Sequence, residues 1–109
     1  MPRENEYGMP LDRNGYSDSI LQKAECCFRC GTQHGKIDRH EVYHADFGGK
    51  MRDRSKRYGL WVRLCRECHE ASQSGEYADR LKRYAQGVAQ EEYGWSKETF
   101  IKLFGRSYR

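Results

Sequence analysis

The residues best equipped for chemistry in this chain fall within one stretch. Cys27-Phe-Arg-Cys30 opens it, Cys65-Arg-Glu-Cys68-His69 closes it, and between them lies Asp38-Arg39-His40-Glu41-Val42-Tyr43-His44. Two CxxC pairs separated by a few tens of residues supply four thiolates, the donor set of a closed, tetrahedral structural zinc site. Cys26 directly precedes Cys27 and falls outside the two-residue spacing, so it reads as a small buried apolar residue. The histidines are then left for other work. His40 on an extended segment and His69 at the start of a helix can meet on one side and share a second divalent cation (magnesium, manganese, nickel or zinc), with phosphate and water completing its shell.

A structural metal suits a chain of this size. At 109 residues this is one domain, and short chains bury a smaller fraction of their surface than long ones. Apolar residues make up 37% against 33% charged, and the mean hydropathy is −1.07. An ion that cross-links distant segments therefore supplies stability that a thin core cannot. Disulfides are the competing use of cysteine, but five is an odd number, and the opening Met1-Pro-Arg-Glu-Asn-Glu-Tyr-Gly-Met-Pro10 lacks the apolar run of a secretory leader. A reducing compartment, the cytoplasm, is the expectation. No apolar run is long enough to suggest a membrane span.

The formal net charge of +4 is modest, but its distribution is uneven. Lys50, Arg52, Arg54, Lys56, Arg57, Arg63 and Arg66 face a single acid, Asp53, between positions 50 and 66. Such a concentration beside the histidine loop is the footprint of a surface that contacts phosphates, and Lys50, Arg52, Arg54, Lys56, Arg57 and Arg63 are the candidate nucleic-acid contacts. The competing reading is a solvated charged loop.

These residues need elements to position them. Residues 1–22, with both prolines, read as an irregular arm, docked on the core or on a partner through Tyr7, Met9, Leu11 and Tyr16. Residues 23–75 form the zinc core: the first cysteine pair with Gly31 in a tight turn, an extended segment over Ile37–His44 ended by Gly48-Gly49, and a helical turn over Arg52–Tyr58. A strand over Leu60–Leu64 then leads into Cys65, and a helix follows Cys68 and runs through His69 to Gln73. Residues 76–109 are C-terminal helices packed on that core. One carries the apolar stripe Tyr77, Leu81, Tyr84, Ala85 and Val88. The other starts at Ser96, presents Phe100, Ile101 and Phe104, and stops at Gly105. A cysteine turn, a hairpin and a helix starting at the second CxxC follow the order of a treble-clef zinc fold, so the fold class expected is a small α+β, zinc-stabilised treble-clef domain with a helical C-terminal extension.

Together, Cys-x-x-Cys, a histidine-bearing hairpin and Leu64-Cys-x-x-Cys-His69 resemble the pattern of HNH endonucleases, the ββα-metal nucleases. More narrowly, three segments resemble small HNH-type proteins of phages and prophages: Arg39-His40-Glu41-Val42, Arg54-Ser55-Lys56-Arg57-Tyr58-Gly59-Leu60-Trp61-Val62, and Phe100-Ile101-Lys102-Leu103-Phe104-Gly105-Arg106-Ser107-Tyr108. The resemblance runs from about Cys27 to Tyr108. It implies a DNA endonuclease acting in a bacterial host, in which His40 and His69 bind the catalytic metal and the residue after His40 acts as general base. That residue is Glu41 here, where many relatives have a second histidine, and a carboxylate beside a cation is a weaker base than a neutral imidazole. His44 is the alternative base. The family's asparagine, which braces the hairpin loop, has no counterpart before Leu64, and the asparagines of this chain are Asn5 and Asn14. Backbone groups around Tyr58-Gly59 are the expected substitute brace. Gln73, read as sharing a helical face with His69, stands where the family adds a third ligand. The alternative function is a catalytically altered zinc module that binds nucleic acid or a host protein, such as a recombination or defence factor.

Overall fold

A computed structural model describes residues 3–44 and 50–109. Gly48-Gly49, expected to end the extended segment, lie outside the described residues. The elements run β1 (Arg3–Glu4), β2 (Pro10–Leu11), β3 (Ile37–Glu41), α1 (Lys50–Arg57), β4 (Trp61–Cys65), α2 (Arg66–Ala71), α3 (Gly75–Tyr93) and α4 (Lys97–Phe104). The result is a small, compact α+β fold with two antiparallel strand pairs, β1 with β2 and β3 with β4.

The β3–β4 ladder positions the site. Its register opposes Ile37 to Cys65, Arg39 to Arg63, His40 to Val62 and Glu41 to Trp61. Because side chains alternate across a pleat, His40 shares a face with Val62 and Leu64, both fully buried, and that face is the core side. Arg39 and Glu41 share the opposite face with Trp61 and Arg63. After Glu41 the chain leaves regular strand geometry and bends through Val42 and Tyr43. Val42 still donates to the Leu60 carbonyl at 3.0 Å, so the bend stays tied to the sheet.

Helices α3 and α4 cover the core face. The buried stripe of α3 is Ala78, Leu81, Ala85 and Ala89, with Gln86 beside it. Tyr84, expected on that stripe, is 49% exposed. The small alanines let the helix approach closely, and the larger tyrosine is turned outward. On α4 the same correction applies to Ile101, which is 38% exposed while Phe100 and Phe104 are buried. Ser96 accepts from the Thr99 N–H at 3.1 Å to cap α4, and Gly105 ends it with φ +83°. Tyr43 packs its ring against Phe100 and Phe104, with centroids 5.5 and 4.7 Å away, so the segment leading to His44 is pinned to the C-terminal helix.

The arm contains short regular structure where irregular chain was expected, and it lies against the core. Arg3 pairs with Leu11 and Glu4 with Pro10. Asn5 accepts from the Tyr7 and Met9 N–H groups to close the turn between them, and donates to the Arg57 carbonyl at 2.8 Å. Tyr7 stacks on Tyr93 at 4.5 Å, and Tyr16 meets Trp61 edge-on at 5.5 Å. Trp61 donates to the Ser17 carbonyl, and Ser19 donates to the Trp61 carbonyl. The radius of gyration, 13.5 Å, matches the value of about 13 Å for a compact domain of 100 residues, which leaves no room for a splayed arm.

Candidate metal centre and histidine cleft

Cys27 and Cys30 flank a turn in which Gly31, with φ +80°, donates to the Cys27 carbonyl. The turn is fastened to the sheet by the Phe28 N–H, which donates to the Arg63 carbonyl at 2.7 Å. Cys65 ends β4 and Cys68 lies in the first turn of α2. The four sulfurs lie within 4.8 Å of one another, and those of Cys30 and Cys65 are 3.9 Å apart. Sulfurs on a tetrahedral zinc, at about 2.3 Å each, stand about 3.8 Å apart. All five cysteines are free thiols, and Cys26 takes no part in the cluster. Burial opposes ionisation of Cys27, but backbone donors at Cys30, Cys65 and Arg29 outweigh it and bring the thiol down to about 6. Cys68 moves the other way, to about 12, first through burial and then through its thiol neighbours. Thiols this close cannot all ionise without a cation among them. Arg29 supplies part of that positive charge, donating to the Cys68 sulfur at 3.6 Å.

One residue beyond Cys68, His69 enters a second site. Its ring lies 4.9 Å from that of His40, and His40 lies 5.4 Å from His44, all centroid to centroid. Two imidazoles on one metal, at about 2.1 Å each, place their centroids about 5 Å apart. The cleft has a volume of about 220 Å³ and is lined by Arg39, His40, Glu41, His44, Arg52, His69 and Gln73. His40 is 3% exposed. Burial, then the neighbouring His69 and His44, pull it down to about 3, so it is a neutral imidazole, the form that ligates metal. His44 is also lowered, by burial and then by Arg52 and Lys82. His44 reaches the cleft because the chain bends after Glu41, not because β3 continues as a regular strand.

Glu41 occupies a different setting from the one its neighbour suggests. Tyr16 donates to its Oε2 at 2.7 Å, and Arg52 Nε stands 3.2 Å from its Oε1. Both carboxylate oxygens are engaged. Among the described residues the cysteine quartet is the group of three or more donors in mutual ligating reach, and the histidines with Glu41 do not form a second. Gln73 lines the cleft from beyond the end of α2 at Ala71, so it does not share a helical face with His69.

The basic segment divides in two. Arg54 donates to the Leu103 carbonyl at 2.6 Å, and Arg57 pairs with Glu6 at 2.5 Å, so these two hold the fold together. Lys50 is exposed, Lys56 lies over the Tyr16 ring at 5.1 Å, and Arg63 lies over Trp61 at 5.0 Å. Of the basic segment, Arg52 lines the cleft, while Lys56 lines a separate cavity beside the arm.

Two further residues position the site. Ser55, fully buried on α1, accepts from the Tyr43 N–H at 3.1 Å and donates to the Tyr43 carbonyl at 2.8 Å, bracing the bend between His40 and His44. Gly59 has φ +71°, and a Cβ there would stand 2.4 Å from the Asp18 carbonyl oxygen. Its own carbonyl accepts from Ile20 at 3.0 Å. The arm thus crosses over Gly59 at a distance only glycine permits, and the brace expected from the backbone around Tyr58-Gly59 is made with the arm. A serine inside a polar helix is too common to single out from sequence, and the glycine expected in the brace gives no sign that the arm crosses it. No family model, curated protein or solved structure matches this chain.

Proposed function

We propose that this chain is a zinc-stabilised treble-clef domain of HNH type that hydrolyses phosphodiester bonds in DNA with little sequence preference. The observation that carries this reading is the gathering of three imidazoles in one cleft rimmed by Arg39 and Arg52: His40 from β3, His44 from the bend after it, and His69 from the helix that starts at the cysteine quartet. Cys27, Cys30, Cys65 and Cys68 hold the zinc, tying the first cysteine turn to the start of α2. A divalent cation held by His40 and His69 would polarise the scissile phosphate and stabilise the leaving oxygen. Arg39 and Arg52 orient the phosphate, which positions the substrate without reading its bases. His44, half-buried and lowered in pKa, is the better candidate to take a proton from water, because the oxygens of Glu41 already accept from Tyr16 and Arg52. Glu41 instead fixes the direction of Arg52. The test separates the two: His44→Ala lowers the single-turnover cleavage rate at unchanged DNA affinity, while Glu41→Gln acts mainly on affinity. The opposite pattern would return the base to Glu41.

A second reading, a catalytically altered module that binds nucleic acid or a host protein, is favoured by the same occupied carboxylate. Under that reading the wild type binds its partner and cleaves no DNA with magnesium, manganese, nickel or zinc.

A further inference from the structure

A second cavity, of about 360 Å³, lies between the arm and α1 and is lined by Arg3, Leu11, Arg13, Asn14, Gly15, Asp53, Arg54, Lys56 and Arg57. Five of these side chains are cationic and one is acidic, in a chain whose whole formal net charge is +4. Arg54 and Arg57 have partners in the fold, whereas Arg3, Arg13 and Lys56 form no ion pair among the described residues. Arg3 donates to the Arg13 carbonyl at 3.4 Å, and Lys56 rests on the Tyr16 ring.

The wall that carries Arg13 is built in advance of any ligand. Asp12 Oδ1 accepts from the Asn14 and Tyr16 N–H groups at 2.8 and 3.0 Å. Gly15 donates to the Asp12 carbonyl, Asp12 donates to the Tyr16 carbonyl, and Ser17 donates to the Lys56 carbonyl. The loop is closed on itself and stitched to α1, so an anion entering the cavity orders little of the chain, which lowers the cost of binding. Among the described residues of the lining, Leu11 is the one apolar side chain. A protein-docking pocket would offer aromatic or aliphatic anchors. This cavity offers charge.

Its position connects it to the histidine cleft. Lys56 lies over Tyr16, Tyr16 donates to Glu41, and Glu41 pairs with Arg52 in the cleft. On the reading that this chain acts on DNA, we infer that the cavity between the arm and α1 is a second phosphate site, in which Arg3, Arg13 and Lys56 bind the backbone of a duplex whose scissile phosphate lies at the histidines. The arm is then part of the DNA-binding surface as well as a brace for the fold.

The test is duplex DNA binding by fluorescence anisotropy across a salt series without added magnesium or manganese, comparing wild type, Arg3→Ala with Arg13→Ala, Arg13→Ala alone, and Arg80→Ala with Arg83→Ala. The last pair removes the same charge from α3, outside the cavity. Loss of two phosphate contacts lowers the slope of log affinity against log salt by about 1.8 and weakens binding roughly tenfold. The single variant shows about half the slope change, and the α3 variant stays near wild type. An unchanged slope in both arm variants, or an equal loss in the α3 variant, overturns the inference. A wild type that binds DNA with the expected slopes but cleaves none upholds the phosphate site and removes the nuclease. A wild type that binds no duplex overturns both.

Discussion

Ser55 exchanges hydrogen bonds with both backbone groups of Tyr43 and is completely buried while doing so. In Ser55→Ala the Tyr43 N–H loses its partner in a dry setting, which costs about 1–3 kcal/mol. The expected readout is a lower denaturant midpoint at unchanged m-value, together with weaker cleavage because His44 loses its support. Gly59→Ala should cost at least as much, since the left-handed backbone and the Asp18 carbonyl both oppose a Cβ. Glu6 makes a pH-dependent contribution. Burial raises its carboxyl, but donors Tyr58 and Arg57 outweigh this, and the net pKa lies below the ordinary value. A depressed carboxylate stabilises the fold above its unfolded pKa and loses that contribution as pH falls through the folded one. The stability gap between wild type and Glu6→Gln is therefore largest near neutrality and closes on acidification below about pH 4, which urea melts across pH will show. At this scale the cysteines were legible, because metal geometry restricts their spacing, as was the Gly31 turn that follows from it. Ser55 and Glu6 were not, because their partners, Tyr43 and Arg57, are far away in sequence and ordinary in type.

The arm behaves as an element in its own right, although regular structure accounts for only β1 and β2. It covers Trp61 at the start of β4, and its contacts with Arg57, Gly59 and Tyr93 fasten it to α1, to the loop before β4 and to the end of α3. Deleting residues 1–19 should lower the melting temperature by roughly 10 °C or more and shift tryptophan emission to the red, because Trp61 loses Tyr16 and Ser17 and Trp95 loses Tyr7. An unchanged spectrum would mean that the arm does not cover the sheet. The strand into Cys65 was legible from its aromatic and branched residues, and α4 from its serine cap and glycine stop. The face of α3 was legible in Leu81, Ala85, Tyr77 and Val88, which pack on the core, but not in full: Tyr84 turns outward, and Ala78 and Ala89 complete the contact. Small residues mark close helix packing, and periodicity weighted toward bulky side chains passes over them. The arm's ladder was illegible for a related reason: two-residue strands carry no pattern, and their stability comes from the Asn5 turn and from docking.

The whole molecule divides into a scaffold held by sulfur and a cleft lined by imidazole, adjoining at Cys68-His69. No helix among the described residues is long and apolar enough to cross a membrane. If zinc ties the first cysteine turn to α2, its removal by a chelator should unfold the domain, and Cys65→Ser should do so without a chelator, because the binding free energy of a structural zinc is folding free energy. Circular dichroism that stays native after metal analysis reads zero zinc would contradict this. The α+β architecture could be read from the order of cysteine turn, hairpin and helix. The meeting of His40 and His69 could be read in the same way, whereas the entry of His44 could not, since it depends on the bend after Glu41 and the brace from Ser55, nor could the diversion of Glu41 to Tyr16 and Arg52.

The most direct test of the account is the cleavage of supercoiled plasmid by wild type and His69→Ala in magnesium or manganese, with zinc content and melting temperature recorded on the same samples. His69 lines the cleft and contributes nothing to the sulfur cluster. Wild type should nick the plasmid, and His69→Ala should lose at least about 100-fold in rate while keeping one zinc per chain and the wild-type melting temperature. A His69→Ala protein that cleaves at the wild-type rate, or a wild type that leaves the plasmid intact, would contradict it.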